Sequence, residues 1–218
     1  MQKTKIYTAS YGEIPRDSFL KLSKFRYCVF IERLKWNIPT TDHFNKLEID
    51  QYDTKDAYYT IAEEANGNII GCSRLIPSSK PYLLSEHFDF LCIEELPFSY
   101  ETWEYETWEV SRFAVDSPFD KTLPIKIFKQ ALAYAWSRGA RSVVAVTTME
   151  MERYFKRNNI STRRMGDPIT KDGDNLIALM FTNIYRYHIA HVDYQQSHLH
   201  NRMLCNDARY KEKTRISV

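Results

Sequence analysis

Hydrophobic residues predominate through 108–115, which reads Trp-Glu-Val-Ser-Arg-Phe-Ala-Val, and polar residues interrupt the run at 109, 111 and 112. Aromatic and β-branched residues favour a pleated, half-buried surface, so this stretch is predicted to be a strand. Strand periodicity puts Glu109, Ser111 and Phe113 on one face, and Trp108, Val110, Arg112 and Ala114 on the other. A glutamate and an arginine inside an apolar strand are costly to bury unless they are paired or used, which indicates a functional site. The alternatives are an internal ion pair or an edge strand with one wet face.

Helical spacing of apolar residues predicts three main helices. The first covers 15–34, the second, which has the clearest helical pattern, covers 123–138, and the third covers 149–158. Thr147 and Glu150 have the spacing of a capping box, which would open the third helix.

Further strands are predicted at 5–9, 57–64, 69–76, 142–147 and 176–182. The Asn-Gly-Asn sequence at 66–68 predicts a hairpin, and hence an antiparallel part of the sheet. The strand–helix–strand–helix order after residue 108 predicts neighbouring strands joined by crossover helices. The fold class is therefore α/β, a mixed sheet with helices on both faces.

The amino-acid composition limits the classes of protein to which the chain can belong. The chain has 218 residues, 44% of them hydrophobic, which is enough for one sizeable core. Its net charge of +2 excludes a general polycation, and its four cysteines have no disulfide or zinc spacing. We expect reduced thiols in a cytoplasmic protein, with no metal site, no signal peptide and no membrane span.

Charge is unevenly distributed along the chain. Residues 81–111 contain no lysine or arginine and many glutamates. The balance reverses in a basic group made of Arg153, Lys156, Arg157, Arg163 and Arg164. A basic patch on a nearly neutral protein indicates an acidic partner, although a solvated helix face explains such a run equally simply.

These residues together resemble the acyl-homoserine-lactone synthases, the LuxI-type autoinducer synthases. The resemblance covers roughly residues 20–165 and rests on Arg26, Phe30, Trp36, Asp50, Asp53, Arg74, Glu109 and Arg112, in that order. It implies a fold similar to the GCN5-related N-acetyltransferases. Residues 1–183 are expected to form the synthase domain, and 184–218 a C-terminal helix and polar tail of unknown role.

The resemblance implies two substrates, an acyl-acyl-carrier-protein and S-adenosylmethionine, and no prosthetic group. The amine of S-adenosylmethionine attacks the acyl thioester, and the carboxylate then closes the lactone with release of methylthioadenosine (MTA). An ammonium group has no lone pair, so a base must first take its proton, directly or through water. Glu109 is the candidate, with a pKa that its acidic neighbours are expected to raise. Pairing of Glu109 with Arg26 or Arg112 is the alternative.

The resemblance also implies roles for the other residues of the pattern. Arg26, Phe30 and Trp36 would form the S-adenosylmethionine pocket, where aromatic rings suit adenine or a sulfonium and arginine suits a carboxylate. Asp50 and Asp53 would hold the positive end of that substrate or lock arginine partners. Arg74 and Arg112 would fix the cleft, and Ser111 would contact the acyl carbonyl.

The acyl chain and its carrier need separate surfaces. Residues available for the acyl chain are Thr147, Thr148, Val146 and Met151. A threonine at the end of the strand before the basic helix implies 3-oxo-acyl chains in this family, although a helix cap explains it as well. The basic group at 153–164 would dock the acidic carrier protein through salt-sensitive contacts.

Three other functions compete with this interpretation. An acyl-CoA-dependent N-acyltransferase would cradle pyrophosphate on a glycine-rich turn after its central strand, yet 115–123 contains no glycine. An N-acyl-amino-acid synthase would use the same donor with another amine. A nucleic-acid-binding module would need a concentrated basic face, which the net charge of +2 disfavours.

Overall fold

The computed structural model describes residues 4–93, 107–117, 120–171 and 173–188. Within these ranges the chain forms one mixed sheet, in the order β1-β2-β3-β4-β5-β8-β6, with β7 also paired to β8. The strands are β1 Lys5–Ser10, β2 Tyr58–Glu63, β3 Ile69–Pro77, β4 Thr107–Val115, β5 Ser142–Thr148, β6 Thr162–Arg164, β7 Ile169–Lys171 and β8 Asp174–Phe181. Strands β4 and β5 run parallel, whereas the other described pairs are antiparallel. The mixed sheet is confirmed; β6 and β7 are too short to have been predicted from alternation.

Helices pack on both faces of the sheet, as predicted. They are α1 Arg16–Arg26, α2 Leu83–His87, α3 Leu123–Ser137 and α4 Met149–Arg157. The helix predicted over 15–34 is confirmed, but its second half, Tyr27–Arg33, is π-helical rather than α-helical. A π-helical turn widens the backbone spiral and is frequent at functional sites.

Each face of the sheet has its own core. On the α1 face, Leu22 and Phe30 pack with Ile61 of β2. On the α3 face, Phe128 packs with Phe181 of β8 at a ring distance of 4.9 Å. Alternation of side chains along each strand separates the two cores.

A β-bulge interrupts β4 at Arg112. Ser111 pairs with Arg74 and Ala114 pairs with Cys72, so two residues of β4 lie opposite one residue of β3. Arg112 has φ of +50°, a left-handed conformation that is uncommon for a residue other than glycine.

Because of the bulge, the prediction of which side chains share a face is wrong for the last part of β4. Arg112 and Ala114 lie on the α1 face, the same side as Glu109, whereas strict alternation put them on the opposite side. Phe113 was expected beside Glu109, but its ring lies on the α3 face, 5.2 Å from the ring of Phe128. The inserted residue therefore turns a charged side chain towards the α1 face.

Strands β4 and β5 form a fork. Their parallel pairing ends at Glu109 and Val144, although β4 continues to Val115 and β5 continues to Thr148. Beyond the last pair, β4 bonds to β3 and β5 bonds to β8. In open α/β sheets, ligands bind outside the carboxyl ends of the strands where neighbouring strands diverge.

The cap of α4 lies one residue later than predicted. Strand β5 extends through Thr148, and the Thr148 hydroxyl accepts from the backbone N–H of Met151 at 3.5 Å. Thr147 is therefore a strand residue, and the predicted capping box with Glu150 is wrong. Most of the predicted tail, from residue 189 onward, lies outside the described residues.

Candidate functional site

Six charged side chains form a network buried on the α1 face of the sheet. They are Arg26 of α1, Glu48, Asp50 and Asp53 of the loop before β2, Arg74 of β3 and Arg112 of the β4 bulge. Each side chain is at most 7% exposed. Three positive charges meet three negative charges, which is the condition under which buried ions are tolerated.

Arg26 is enclosed by carboxylates. Its Nε donates to Glu48, and its Nη1 and Nη2 donate to the two oxygens of Asp53 at 2.8 and 2.9 Å. The side chain is fully buried. Its position on the apolar stripe of α1, which is anomalous in the sequence, is thus explained by a bidentate internal ion pair.

Arg74 holds the two aspartates to β4. It donates to Asp50 at 2.5 and 3.1 Å, to Asp53 at 3.0 Å and, through Nε, to the Ser111 hydroxyl at 3.2 Å. The Tyr59 hydroxyl adds a bond of 2.7 Å to Asp53. Burial alone would raise the pKa of Asp53, but the guanidinium groups of Arg26 and Arg74 hold it well below its usual range.

Arg112 connects the network to a pair of aromatic rings. Its Nε donates to Glu48 at 3.0 Å and its Nη2 to Asp50 at 2.7 Å. The guanidinium carbon lies 5.7 Å from the centre of the Phe30 ring. Phe30 is buried and stacks on Trp36, with ring centres 4.8 Å apart, and Trp36 is 45% exposed.

Glu109 lies at the branch point of the fork and is fully buried. Its two carboxylate oxygens accept from the backbone N–H groups of Leu83 and Leu84 at 2.8 and 3.1 Å, at the start of α2. Burial raises the pKa of Glu109 to about 7, against the opposing effect of the Arg74 charge and the two N–H groups. A carboxyl with such a pKa is suited to proton transfer near neutral pH.

The raised pKa of Glu109 has a different cause from the one predicted. Desolvation raises it, rather than acidic neighbours. Among the described acids of the 81–111 stretch, Glu86 accepts from the Tyr52 hydroxyl at 2.6 Å, and residues 94–106 lie outside the described ranges. The alternative prediction was an ion pair of Glu109 with Arg26 or Arg112. The carboxylate oxygens of Glu109 instead accept from the backbone at the start of α2.

The four residues predicted for the acyl chain do not form one group. Val146 packs against the core on the α1 face, whereas Met151 packs against the core on the α3 face. Thr148 caps α4. Of the four, Val146 and, two positions further along β5, Thr148 lie on the face that carries Glu109.

The predicted docking residues lie on α4 and the adjoining β6, but not all of them are free to meet a partner. Lys156 and Arg164 both bind Glu152, at 2.8 and 2.6 Å, and the pKa of this glutamate falls to about 2 chiefly through its bond to Arg164. Arg153 lies 3.6 Å from Glu150, and Arg163 contacts the Met180 sulfur at 3.7 Å. Arg157 is exposed.

Two residues of the site were not predicted. Glu48 bridges Arg26 and Arg112, and Tyr59 bonds to Asp53. Glu48 precedes Asp50 by two positions, so its acidic type beside two other acids was a usable signal. Tyr59 carries no such signal, because a tyrosine in a strand is most simply a core residue.

Comparison with known proteins defines the class. The profile of the autoinducer synthase family matches residues 13–186. The acyl-homoserine-lactone synthase of Pseudomonas aeruginosa is 41% identical over 161 residues, which cover 74% of this chain and 77% of that one. The chain therefore belongs to the autoinducer synthase family, whose curated relatives are acyl-homoserine-lactone synthases.

Solved structures agree with this assignment. TofI, crystallised in a ternary complex with an inhibitor and MTA, is 37% identical with a TM-score of 0.70, over 84% of this chain and 91% of that one. The fold also matches BjaI, a CoA-dependent acyl-homoserine lactone synthase solved with SAM and isopentyl-CoA, at 21% identity and a TM-score of 0.76, over 88% and 89% of the two chains. The predicted fold, a mixed sheet of the GCN5-related N-acetyltransferase type, is confirmed, as is the enzyme class.

In the described ranges, every helix is too short or too polar to cross a bilayer. The predicted cytoplasmic location and the division at residue 183 stay predictions.

The buried charge network leads to a prediction about the stability of the protein. Replacing Asp53→Asn removes the charge that Arg26 and Arg74 share, and leaving two buried guanidinium groups underpaired is expected to cost about 3–5 kcal/mol of unfolding free energy. Urea unfolding measures this cost. Asp116→Asn is the matched control, because its partner Arg33 is 50% exposed and its loss is expected to change stability little. Equal effects of the two changes would contradict a buried network.

The raised pKa of Glu109 leads to a prediction about how stability depends on pH. Its pKa of about 7 in the folded chain lies above the ordinary value of 4.5, so the folded state holds the proton more tightly. Its contribution to stability is therefore complete below pH 4.5 and is lost as the pH rises through about 7, which amounts to about 3 kcal/mol.

The measurement is the unfolding free energy at pH 5 and pH 8. Glu109→Gln cannot titrate, so the difference between the two values is expected to shrink relative to the wild type. Glu64→Gln, in the hairpin turn, is the control and is expected to keep the wild-type difference. An unchanged difference in Glu109→Gln would refute the raised pKa.

Proposed function

We propose that this chain synthesises an N-acyl-L-homoserine lactone from S-adenosylmethionine and an acyl chain carried on acyl carrier protein. The observation that carries the proposal is Glu109, a buried carboxyl with a pKa of about 7 at the branch point of β4 and β5. It lies beside a neutral charge network on a fold shared with synthases that were crystallised with SAM or MTA.

In the first step, the amine of S-adenosylmethionine attacks the thioester carbonyl. Glu109 first receives one proton of the ammonium group, directly or through one water, which frees the lone pair of nitrogen. A C–N bond then forms, the C–S bond of the thioester breaks, and the carrier leaves as a thiolate that takes up the second proton, which nitrogen releases as the amide forms. The N–H groups of Leu83 and Leu84 hold both oxygens of Glu109, so the orientation of the carboxylate is fixed by the backbone.

In the second step, the carboxylate of the acylated intermediate attacks its own Cγ. An O–Cγ bond forms while the Cγ–S bond breaks, and its electron pair neutralises the sulfonium. Methylthioadenosine leaves as a neutral thioether, so this step needs no acid. The protein's part is to hold carboxylate and Cγ at reacting distance.

The fork supplies a place for the arm of the acyl donor. Beyond Glu109 and Val144 the facing edges of β4 and β5 no longer bond to each other, so their N–H and C=O groups are open to an extended ligand. A pantetheine arm carries amide groups that match such edges. Since coenzyme A and acyl carrier protein share this arm, the fork accommodates either donor, and BjaI is a CoA-dependent example of the fold.

The start of α3 favours the carrier protein over coenzyme A. The Asp120 carboxylate accepts from the backbone N–H and the hydroxyl of Thr122 at 2.9 and 2.6 Å, and from the Lys126 ammonium at 3.1 Å. Leu123 N–H bonds to the Asp120 carbonyl, and the next residue, Pro124, has no N–H. Donors that would meet a pyrophosphate are thus already used or missing.

The donor test compares one acyl chain on two carriers. Purified protein with S-adenosylmethionine is expected to form acyl-homoserine lactone and MTA, detected by mass spectrometry, much faster from the acyl-carrier protein than from acyl-CoA. Glu109→Gln is expected to lower the turnover about 10²- to 10⁴-fold. N-acyl amino acids in place of lactones would replace the proposed substrate, and equal rates from both donors would remove the preference for the carrier.

Carrier docking is tested on Arg157. Arg157→Glu reverses an exposed charge on α4 and is expected to raise the KM for the acyl-carrier protein on the order of tenfold, with the KM for S-adenosylmethionine unchanged. Arg16→Glu, an equally exposed reversal on α1, is the control and is expected to change neither value. Equal effects of the two reversals would exclude α4 as the docking surface. High salt is expected to reduce the difference between them.

A further inference from the structure

The three buried arginines differ in how many of their hydrogen-bond donors are used. Arginine has a donor at Nε and two at each terminal nitrogen. Every nitrogen of Arg26 donates to Glu48 or Asp53. Every nitrogen of Arg74 donates to Ser111 or to an aspartate. Both side chains are 0% exposed, so these two arginines are committed within the network.

Arg112 is the exception. Its Nε and Nη2 donate to Glu48 and Asp50, but the described part of the chain offers no hydrogen-bond acceptor to its Nη1. At 7% its side chain is the most exposed of the six in the network. Nη1 is therefore the guanidinium nitrogen of the network that remains open to a ligand, and a charge-assisted bond to a carboxylate would use it.

The surroundings of Arg112 match the parts of S-adenosylmethionine. The residue follows Ser111 on β4, the strand that carries Glu109. Its guanidinium also lies over Phe30, whose ring stacks on the half-exposed Trp36. One side chain thus adjoins both the strand of the proposed base and the aromatic pair that suits an adenine.

We infer that Nη1 of Arg112 binds the carboxylate of S-adenosylmethionine, and that Arg26 and Arg74 are positioning residues that do not touch it. This inference rests on the proposed function. It moves the carboxylate contact from Arg26, where the residue pattern placed it, to the bulge residue of β4. The left-handed backbone of Arg112 is needed for this contact, because strict alternation would turn the side chain to the other face of the sheet.

The geometry also suits the second step. A carboxylate held through one guanidinium nitrogen keeps an oxygen without a strong partner, whereas a two-nitrogen fork would engage both oxygens. Glu48 and Asp50 already engage Nε and Nη2 of Arg112, so the nitrogen that bonds to no carboxylate, Nη1, favours the single contact. The remaining oxygen keeps the lone pair that forms the O–Cγ bond.

The test is calorimetric binding of three ligands that differ in the carboxylate. S-adenosylmethionine carries it, decarboxylated S-adenosylmethionine keeps the amine and sulfonium without it, and MTA lacks the whole amino-acid part. Arg112→Gln is expected to weaken binding of S-adenosylmethionine about 10- to 100-fold, and to leave the other two affinities within about twofold. Arg112→Lys is expected to recover part of the lost affinity, because it restores the charge.

A comparison variant distinguishes loss of the carboxylate contact from a general loss of ligand binding. Trp36→Leu removes the exposed ring and is expected to weaken all three ligands together. If Arg112→Gln also weakens all three equally, or leaves S-adenosylmethionine binding unchanged, Arg112 is not the carboxylate contact. If the wild-type protein binds neither S-adenosylmethionine nor MTA, the proposed function itself fails, which the ligand series distinguishes from failure at Arg112 alone.

Discussion

Burying six charges in one place is the constraint on which the rest of this structure depends. A charge removed from water is tolerated when opposite charges and hydrogen bonds replace its solvation, and here the arginines and carboxylates are matched three to three. The network joins α1, the loop before β2, and strands β3 and β4. It therefore fixes the relative positions of four segments that are distant in sequence.

The bulge in β4 determines which charges lie on the α1 face of the sheet. A regular strand would separate Glu109 and Arg112 onto opposite faces, since they are an odd number of positions apart. The extra residue brings both to the α1 face at the cost of a left-handed backbone at Arg112. Backbone strain at this point is compensated by the ion pairs that Arg112 forms with Glu48 and Asp50.

Sequence periodicity predicted most strands, the three main helices and the mixed sheet, because each depends on local spacing of apolar residues. It failed at Arg112, where the conformation is imposed by pairing with β3, and at Tyr27–Arg33, where the helix widens without a distinctive sequence. The order of charged residues identified most of the network. Whether a given arginine is enclosed or open to a ligand depends on which acids surround it in the folded chain. The spacing of residues along the sequence does not determine those neighbours.

The fork between β4 and β5 separates two tasks that an acyltransferase must perform. In the proposed function, the backbone edges of β4 and β5 line the space for the donor arm, whatever their side chains, and the charge network lies on the side of β3 and β4. The apolar wall on the side of β5 and β8, which includes Val146 and Met180, shares no ion pair with that network in the described chain. In the proposed function, substitutions among these apolar residues would alter which acyl chain is accepted while the reacting groups stay in place. An enzyme of the proposed kind would then diversify its signal by small changes among residues that take no part in the charge network.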